Sequence, residues 1–216
     1  MRPIISIVGK SESGKTTLLE SLVIELKRRG YKVAVIKHAG EDFELDKPGK
    51  DSWRLGQAGS EVVVVSSPSK FAVIRQTKQD LSPRELSHFI RWDYDLILTE
   101  GFKQVGTPKI EVHRKEQGGE LLFSAQQLLA VVTDEPLGIE VPQFSKDDIQ
   151  GLADLIEKRL RAKPKGEDVE LFVNDTPIHI KLFVKELLAR TLVAMVSCLK
   201  GVKEVRSLDI SLRRKS

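Results

Sequence analysis

The chain has 216 residues, of which 40% are hydrophobic and 31% are charged, and its formal net charge is +4 at pH 7. These values predict a globular protein with one α/β domain and an appended unit, or with two small domains. The modest charge and the aromatic content of 6% are not typical of a nucleic-acid-binding surface, so no nucleic-acid partner is expected. The single cysteine, Cys198, excludes an internal disulfide framework.

The sequence also indicates the cellular compartment in which we expect the protein. No apolar run is long enough for a transmembrane helix, so no membrane partner is expected. The N-terminus enters the first predicted strand directly, which leaves no room for a signal peptide. We therefore expect a cytoplasmic protein.

The N-terminal stretch predicts a strand, a glycine-containing loop and a helix. Residues 4–8 have the apolar character of a short buried strand. Residues 9–16 match the pattern G-x-x-x-x-G-K-[ST] in full. Leu18, Leu22 and Leu26 then recur at helical spacing before a basic turn that ends at Gly30. This combination predicts that a nucleoside triphosphate binds here.

The predicted loop supplies the contacts that a triphosphate needs. Backbone N–H groups and the positive end of the helix face the phosphates. Lys15 reaches the β- and γ-phosphate oxygens, and the Thr16 hydroxyl can hold Mg²⁺. Lys10 is either a solvated lysine, which is the favoured interpretation, or it reaches a phosphate in a facing subunit, as in some dimeric P-loop ATPases. The predicted nucleotide-binding residues of the loop are Gly9, Lys10, Ser11, Glu12, Ser13, Gly14, Lys15 and Thr16.

Further apolar runs predict a P-loop NTPase fold of the α/β class, with a mostly parallel sheet flanked by helices. Residues 62–65 are β-branched and are expected to form a buried strand, followed by a hairpin to residues 71–74. Residues 82–85 are typical of a capped helix start. The long segment 39–60 is expected to be functional or mobile. The predicted strands after the loop are 32–38, 62–65, 71–74, 95–101, 109–113 and 128–132, and the predicted helices are 52–58, 82–91 and 146–161.

The C-terminal part of the chain predicts a second, smaller unit. Residues 162–167 have the composition of a linker, so we expect a P-loop domain at 1–162 and a small α+β domain at 167–216. The predicted order is β-β-α-β, with a hairpin at 169–180, a helix at 182–200 and a last strand at 205–212. Such a unit is small for an independent core, so it is expected to dock on the first domain or on its own copy in a dimer.

A phosphate-binding loop of this kind needs a carboxylate at the end of a neighbouring strand, where it orients Mg²⁺ or water. Glu100 ends the predicted strand 95–101 and is favoured over Asp95, which opens that strand and is expected at the far end of the sheet. Asp46 lies in the long segment. Either its carboxylate binds Mg²⁺, or the residue belongs to a solvated loop.

Other charged residues also follow predicted strands, at the edge where α/β sheets bind ligands. Lys37 and His38 either contact a phosphate or a partner, or form an exposed strand end. Asp134 follows the strand at 128–132 and is placed to pair with the N1 and N2 hydrogens of guanine. The N-K-x-D string is missing, so the residues alone indicate guanine only weakly.

Three motifs follow one another along the chain. They are the loop at 9–17, then Lys37 and His38 followed by Asp-Lys-Pro-Gly-Lys-Asp-Ser at 46–52, and then the strand that ends in Glu-Gly-Phe-Lys at 100–103. In this combination they resemble the molybdopterin-guanine dinucleotide biosynthesis protein B (MobB) family, over residues 1–160. Family members commonly carry further histidines after the lysine–histidine pair, where this chain has Ala-Gly-Glu-Asp at 39–42.

The resemblance implies a GTP-binding, weakly hydrolysing, Mg²⁺-dependent homodimer that assists the guanylyltransferase joining GMP to molybdopterin. It further implies three groups of site residues. Gly14, Lys15, Thr16 and Thr17 would hold phosphate and Mg²⁺. Asp46 and Glu100 would serve the metal or water. Lys37, His38 and Lys103 would line the side that faces the pterin or the partner.

Three other functions remain open from the sequence. One is a small-molecule kinase on the same scaffold, in which the basic segment 37–54 would act as a lid. Another is a metallochaperone-type GTPase, which the shortage of paired cysteines or clustered histidines disfavours. The third is a non-enzymatic scaffold, in which bound nucleotide only locks a dimer.

Overall fold

The structure is a computed structural model, and it describes residues 3–40, 46–90, 94–162, 169, 171–174, 176–205 and 208–212. The chain divides into two units, Ile4–Ala153, and Asp154–Ser216 together with Met1–Pro3. The predicted linker falls mostly on residues 163–168, which lie outside the described residues, so the predicted domain limits 1–162 and 167–216 stay a prediction.

Strands and helices alternate along most of the chain. The strands are β1 (Ile4–Gly9), β2 (Val33–Lys37), β3 (Val62–Ser66), β4 (Phe71–Arg75), β5 (Leu96–Glu100), β6 (Lys109–Val112), β7 (Leu128–Val132), β8 (Gln143–Phe144), β9 (Leu171–Val173) and β10 (Thr176–Ile178). The α-helices are α1 (Lys15–Arg28), α2 (Asp51–Gln57), α3 (Pro83–Phe89), α4 (Ile149–Arg161) and α5 (Leu182–Ser197). Short 3-10 turns at Lys115–Gln117 and Ala125–Gln127 complete the described elements.

Six strands form the central sheet in the order β2-β5-β1-β6-β7-β8, and every neighbouring pair is parallel. This confirms the predicted class. Strand β1 lies inside the sheet and is buried along its whole length, which matches its continuous apolar run. Strand β8 was not predicted, because two residues are too few to show a pattern.

Helix α1 follows β1 as predicted and buries a leucine face. Leu18, Leu22 and Leu26 are among its buried residues, and their spacing places them on one side of the helix. The basic residues Lys27 and Arg28 occupy the last turn, where positive charge stabilises the helix dipole. The β1–α1 connection therefore has the two rigid neighbours that a phosphate-binding loop requires.

Strands β3 and β4 form a separate antiparallel hairpin rather than part of the central sheet. The predicted pairing is correct, but the predicted burial of residues 62–65 is wrong. Val63 is buried, whereas Val62, Val64 and Val65 are exposed. A run of β-branched residues favours a strand. Burial also requires another layer of the protein to pack over that strand, and within the described residues the hairpin is not covered on both of its faces.

The capped start of α3 is confirmed. The Ser82 hydroxyl accepts a hydrogen bond from the Glu85 N–H, and the Glu85 carboxylate accepts one from the Ser82 N–H at 2.8 Å. These reciprocal bonds satisfy donors that a helix start otherwise leaves unpaired. The Ser82 hydroxyl also donates to the Glu85 carboxylate at 2.7 Å, and this bond, followed by the one from the Ser82 N–H, holds the pKa of Glu85 below its usual value.

The unit that begins at Asp154 contains the end of α4, the hairpin β9–β10 and helix α5. The predicted last strand at 205–212 is wrong for residues 205 and 208–212, which have no strand pairing, and residues 206–207 lie outside the described residues. Alternating apolar residues suggested a strand there, but no described neighbour supplies its hydrogen bonds. In the described part of the chain, no helix is both long and apolar enough to cross a bilayer.

Candidate functional site

The phosphate-binding loop leaves β1 at Gly9 and enters α1 at Gly14. Gly9 has φ 148°, and a Cβ atom there would lie 2.5 Å from the carbonyl oxygen of Val112. Gly14 has φ 91° and is the N-cap of α1. Only glycine tolerates both the backbone conformation at these positions and the close approach at Gly9. The first N–H groups of α1 have no partner within the helix, and they lie where the loop leaves the carboxyl end of β1.

Lys15 is the first residue of α1, directly after this loop. Its amine donates a hydrogen bond to the carbonyl oxygen of Lys10. Burial lowers the pKa of Lys15, while the nearby carboxylate of Glu100 opposes that shift and the positive charges of Lys103 and Lys37 add to it. An anion bound beside Lys15 would relieve this crowding of positive charge.

Glu100 ends β5 directly beside the loop. The Thr16 hydroxyl donates to both carboxylate oxygens of Glu100, each at 3.1 Å. The Lys37 amine lies 3.6 Å from Glu100 Oε1. Thr16 lies in α1, which follows β1, whereas Glu100 and Lys37 end β5 and β2. The neighbouring positions of β2, β5 and β1 in the sheet bring the three residues together. Asp95 lies at the opposite end of β5, where its carboxylate accepts a hydrogen bond from the Lys32 N–H at 2.7 Å.

Asp46 lies in a different local environment. Its carboxylate accepts a hydrogen bond from the Ser52 hydroxyl at 2.7 Å, across the start of α2. Among the described contacts, Asp46 is not brought to Thr16 or Glu100. Residues 41–45, just before it, lie outside the described residues.

His38 lies beside the Glu100 segment. Its backbone N–H donates to the Glu100 carbonyl oxygen at 2.9 Å, and its Nε2 lies 2.9 Å from Asp80 Oδ2. The imidazole contacts the Phe102 ring, with 4.7 Å between the ring centroids. Phe102 has φ 55°, a left-handed conformation that is unusual for an aromatic residue. The sequence predicted a role for His38 and included Phe102 in a motif, but it gave no signal for Asp80.

Lys37 and Lys103 form a positive rim on this side of Glu100. The Lys37 side chain is 63% exposed, and Lys103 is exposed. Both act electrostatically on Lys15, so they lie close enough to attract the same anion. Thr17, at the start of α1, is also exposed.

Asp134 follows β7 on the other side of the loop. Its Oδ1 accepts a hydrogen bond from the Lys115 N–H at 2.9 Å. This bond is the main reason why the pKa of Asp134 is lower than usual. Asp134 is exposed, so an ionised carboxylate is presented at the carboxyl edge of the sheet.

The segment after β6 contacts the loop in a way that the sequence analysis missed. Arg114 Nε donates to the Ser13 carbonyl oxygen at 3.0 Å. Gln117 Nε2 donates to the Ser11 carbonyl oxygen at 2.6 Å. The Lys10 amine donates to the carbonyl oxygen of Gln117 at 3.2 Å, rather than pointing only into solvent. The position of Arg114 immediately after a predicted strand was the available signal.

Comparison with known proteins identifies the family of this chain. The family model described as "Molybdopterin guanine dinucleotide synthesis protein B" (MobB) matches residues 4–134. This range contains the loop, Glu100 and Asp134.

Individual relatives agree with this match. The "Molybdopterin-guanine dinucleotide biosynthesis adapter protein" of Haemophilus influenzae is 42% identical over 159 residues, which cover 73% of this chain and 89% of that protein. A relative from Methanocaldococcus jannaschii is 28% identical, with 97% of each chain covered. The crystal structure of molybdopterin-guanine biosynthesis protein B superposes with a TM-score of 0.52 at 35% identity, covering 73% of this chain and 99% of that one. The chain belongs to the MobB family.

Proposed function

We propose that this protein is a GTP-binding adapter in molybdopterin-guanine dinucleotide biosynthesis, with weak Mg²⁺-dependent GTPase activity. The family match and the relatives named as adapter proteins support the pathway. The observation that carries the nucleotide part is the meeting of Thr16 with Glu100 beside Lys15. A P-loop that binds a triphosphate uses a lysine for the phosphates, and a hydroxyl and a carboxylate for Mg²⁺.

The phosphates would lie over the N-terminus of α1. There the backbone N–H groups and the helix dipole favour negative charge. Lys15 would exchange its hydrogen bond with the Lys10 carbonyl oxygen for phosphate oxygens. This exchange is favourable because a charge-assisted bond to phosphate is stronger than a bond to a neutral carbonyl.

The residues around Glu100 fit a magnesium ion. Mg²⁺ prefers oxygen ligands and is usually held by a few protein oxygens together with phosphate and water. Thr16 and Glu100 offer a hydroxyl and a carboxylate within 3.1 Å of each other. A bound Mg²⁺ would neutralise phosphate charge during hydrolysis. Among the described residues, no group of three or more His, Cys, Asp or Glu side chains is arranged for a metal ion.

Glu100 is our proposed residue for orienting the attacking water, with Asp46 as a second acid that serves the metal or water. The Glu100 side chain is only 12% exposed, and Lys37 lies 3.6 Å from it. Its low exposure and the hydrogen bonds from the Thr16 hydroxyl limit the orientations of this carboxylate. Such positioning is compatible with slow turnover.

Asp134 is our proposed guanine contact. Its lowered pKa keeps the carboxylate ionised at neutral pH. An ionised carboxylate accepts both the N1 and the N2 hydrogens of guanine, whereas adenine offers no such pair of donors.

On the opposite side, Lys37, His38 and Lys103 would face molybdopterin or the guanylyltransferase. The positive charge of Lys37 and Lys103 suits an organic phosphate, and the exposure of these two lysines suits a partner. We also propose a cytoplasmic homodimer. The hairpin β3–β4 leaves apolar side chains open that a second copy would cover. These side chains are Val62, Val64, Val65, Phe71 and Val73.

A nucleotide-binding panel tests this proposal. Full-length protein is titrated with GTP, GDP, ATP and molybdopterin, each with and without Mg²⁺, and GTP hydrolysis is followed in parallel. We expect GTP to bind more tightly than ATP and Mg²⁺ to strengthen GTP binding. Absence of GTP binding would overturn the nucleotide part of the proposal. Phosphate transfer from GTP to an acceptor would identify a kinase instead.

A further inference from the structure

Residues 114–118, which we call the strap, lie against the outer side of the phosphate-binding loop. Arg114 Nε donates to the Ser13 carbonyl oxygen at 3.0 Å. Gln117 Nε2 donates to the Ser11 carbonyl oxygen at 2.6 Å. The strap therefore holds alternate peptide groups of the loop by their carbonyl oxygens.

These two bonds determine the direction of two N–H groups. In a planar trans peptide, the carbonyl oxygen and the following N–H point in opposite directions. A hydrogen bond to the Ser13 carbonyl therefore orients the N–H of Gly14. A bond to the Ser11 carbonyl orients the N–H of Glu12 in the same way. Backbone N–H groups of this loop are the donors that bind phosphate.

The loop needs such support because its backbone is strained. Glu12 has φ 59°, a left-handed conformation that costs free energy for a residue with a side chain. At Gly14, a Cβ atom would lie 3.2 Å from an Arg114 guanidinium nitrogen. Arg114 thus packs into the space that glycine leaves open. A strained loop persists only when its surroundings hold it.

The strap is itself held in place from several directions. The Lys115 N–H donates to Asp134 Oδ1 at 2.9 Å, which ties the strap to the end of β7. The Lys10 amine donates to the carbonyl oxygens of Gln117 and Gly118. Just beyond the strap, the buried Glu111 carboxylate accepts a bond from the Leu122 N–H at 2.7 Å. The strap therefore has a defined position from which it can orient the loop.

We propose that Arg114 and Gln117 are positioning residues that preorganise the phosphate-binding loop for a nucleoside triphosphate. They act through the Ser13 and Ser11 carbonyl oxygens and not by contact with the base. The identity of the ligand rests on the proposed function, whereas the orientation of the loop does not.

The first experiment examines full-length, nucleotide-free protein by NMR. Arg114→Ala is expected to shift or broaden the amide resonance of Gly14, and Gln117→Ala that of Glu12. Lys115→Ala is the matched control, because it removes a positive charge from the strap but keeps the backbone N–H that bonds Asp134. Unchanged Gly14 and Glu12 resonances in both variants would overturn the proposal, whether or not the protein binds nucleotide.

The second experiment compares the affinities for GTP and GMP. Loss of a residue that supports a metal ligand typically weakens binding about tenfold or more, and by analogy we expect about a tenfold loss of GTP affinity in Arg114→Ala. GMP lacks the β- and γ-phosphates, so its affinity should change little. Arg114→Lys should recover part of the loss, since an amine can still donate to the Ser13 carbonyl. Equal losses for GTP and GMP would indicate a merely structural role and would overturn the proposal.

Discussion

The Thr16 hydroxyl lies 3.1 Å from both carboxylate oxygens of Glu100, although 84 positions separate the two residues in the chain. Their proximity follows from the parallel pairing of β1 with β5, in which Ile7 is aligned with Glu100. Both strands therefore end at the same edge of the sheet, next to the start of α1.

Replacing Lys15 by Ala should abolish GTP binding without unfolding the protein. The lysine offers a point charge to phosphate, and its side chain is only partly buried, so its loss removes ligand contacts rather than core packing. GTP titration and thermal unfolding would check both parts. Lys27→Ala, which removes an exposed lysine at the far end of α1, is the control. A folded Lys15 variant with normal GTP affinity would contradict the P-loop assignment.

Replacing Glu100 by Gln should slow GTP hydrolysis while GTP binding persists. Loss of a positioned acid–base group typically costs about 10²–10⁴ in rate, and we expect at least about tenfold here. Single-turnover hydrolysis of GTP measures the effect. Asp46→Asn should be compared under the same conditions. If turnover is unchanged in the Glu100 variant and reduced in the Asp46 variant, the role belongs to Asp46.

Replacing Gly9 by Ala should destabilise the protein and weaken GTP binding. The added Cβ would lie 2.5 Å from the Val112 carbonyl oxygen and 2.8 Å from Ser13 Oγ, at φ 148°. A substitution that the backbone cannot accept costs more than about 1 kcal/mol. Gly56→Ala is the matched control, because Gly56 lies within α2 with open space around it. That change should stabilise the helix slightly. Equal unfolding midpoints for the two variants would refute this prediction.

The Glu25 carboxylate should make stability depend on pH in the acid range. Hydrogen bonds from Arg28 and then Arg29 lower the pKa of Glu25 from 4.5 to about 2. Because the folded-state value is the lower one, the contribution to stability is present above pH 4.5 and is lost as the pH falls toward 2.

Glu25→Gln should therefore lower the free energy of unfolding at pH 7 and flatten its decline in that acid window. Urea unfolding at several pH values measures both effects. Glu20→Gln, an exposed carboxylate on the same helix, is the control. Parallel pH profiles for wild type and the Glu25 variant would show that the ion pair does not stabilise the fold.

Cutting the chain after residue 163 should leave a folded domain that binds GTP, because every nucleotide motif precedes that point. The fragment 164–216 should aggregate or stay partly unfolded. Its helix α5 exposes Phe183, Leu187 and Met195, and such a small unit buries little apolar surface by itself. GTP affinity of the first fragment and amide exchange of the second would be measured. Strong protection in a monomeric second fragment would show that it is an autonomous domain.

Several features could be predicted from the sequence because their signals are local. The phosphate-binding loop is specified by glycines and a lysine within eight neighbouring positions, 9–16. The start of α3 is specified by Ser82, Pro83 and Glu85 in the same way. The alternation of strands and helices correctly indicated a parallel sheet. Glu100 could be selected as the strand-end acid because it follows the apolar residues of its strand, whereas Asp95 precedes them.

Other features depend on residues that are distant in the chain, and only the tertiary structure decided them. Arg114 and Ser13 are 101 positions apart, and their hydrogen bond exists because β6 pairs with β1. The valines of β3 predicted a strand but not its exposure, because burial depends on what packs over it. Residues 205–212 carried a strand pattern that finds no described partner. Local conformational preference is a property of neighbouring residues, whereas pairing and burial are properties of surfaces that come together only in the fold.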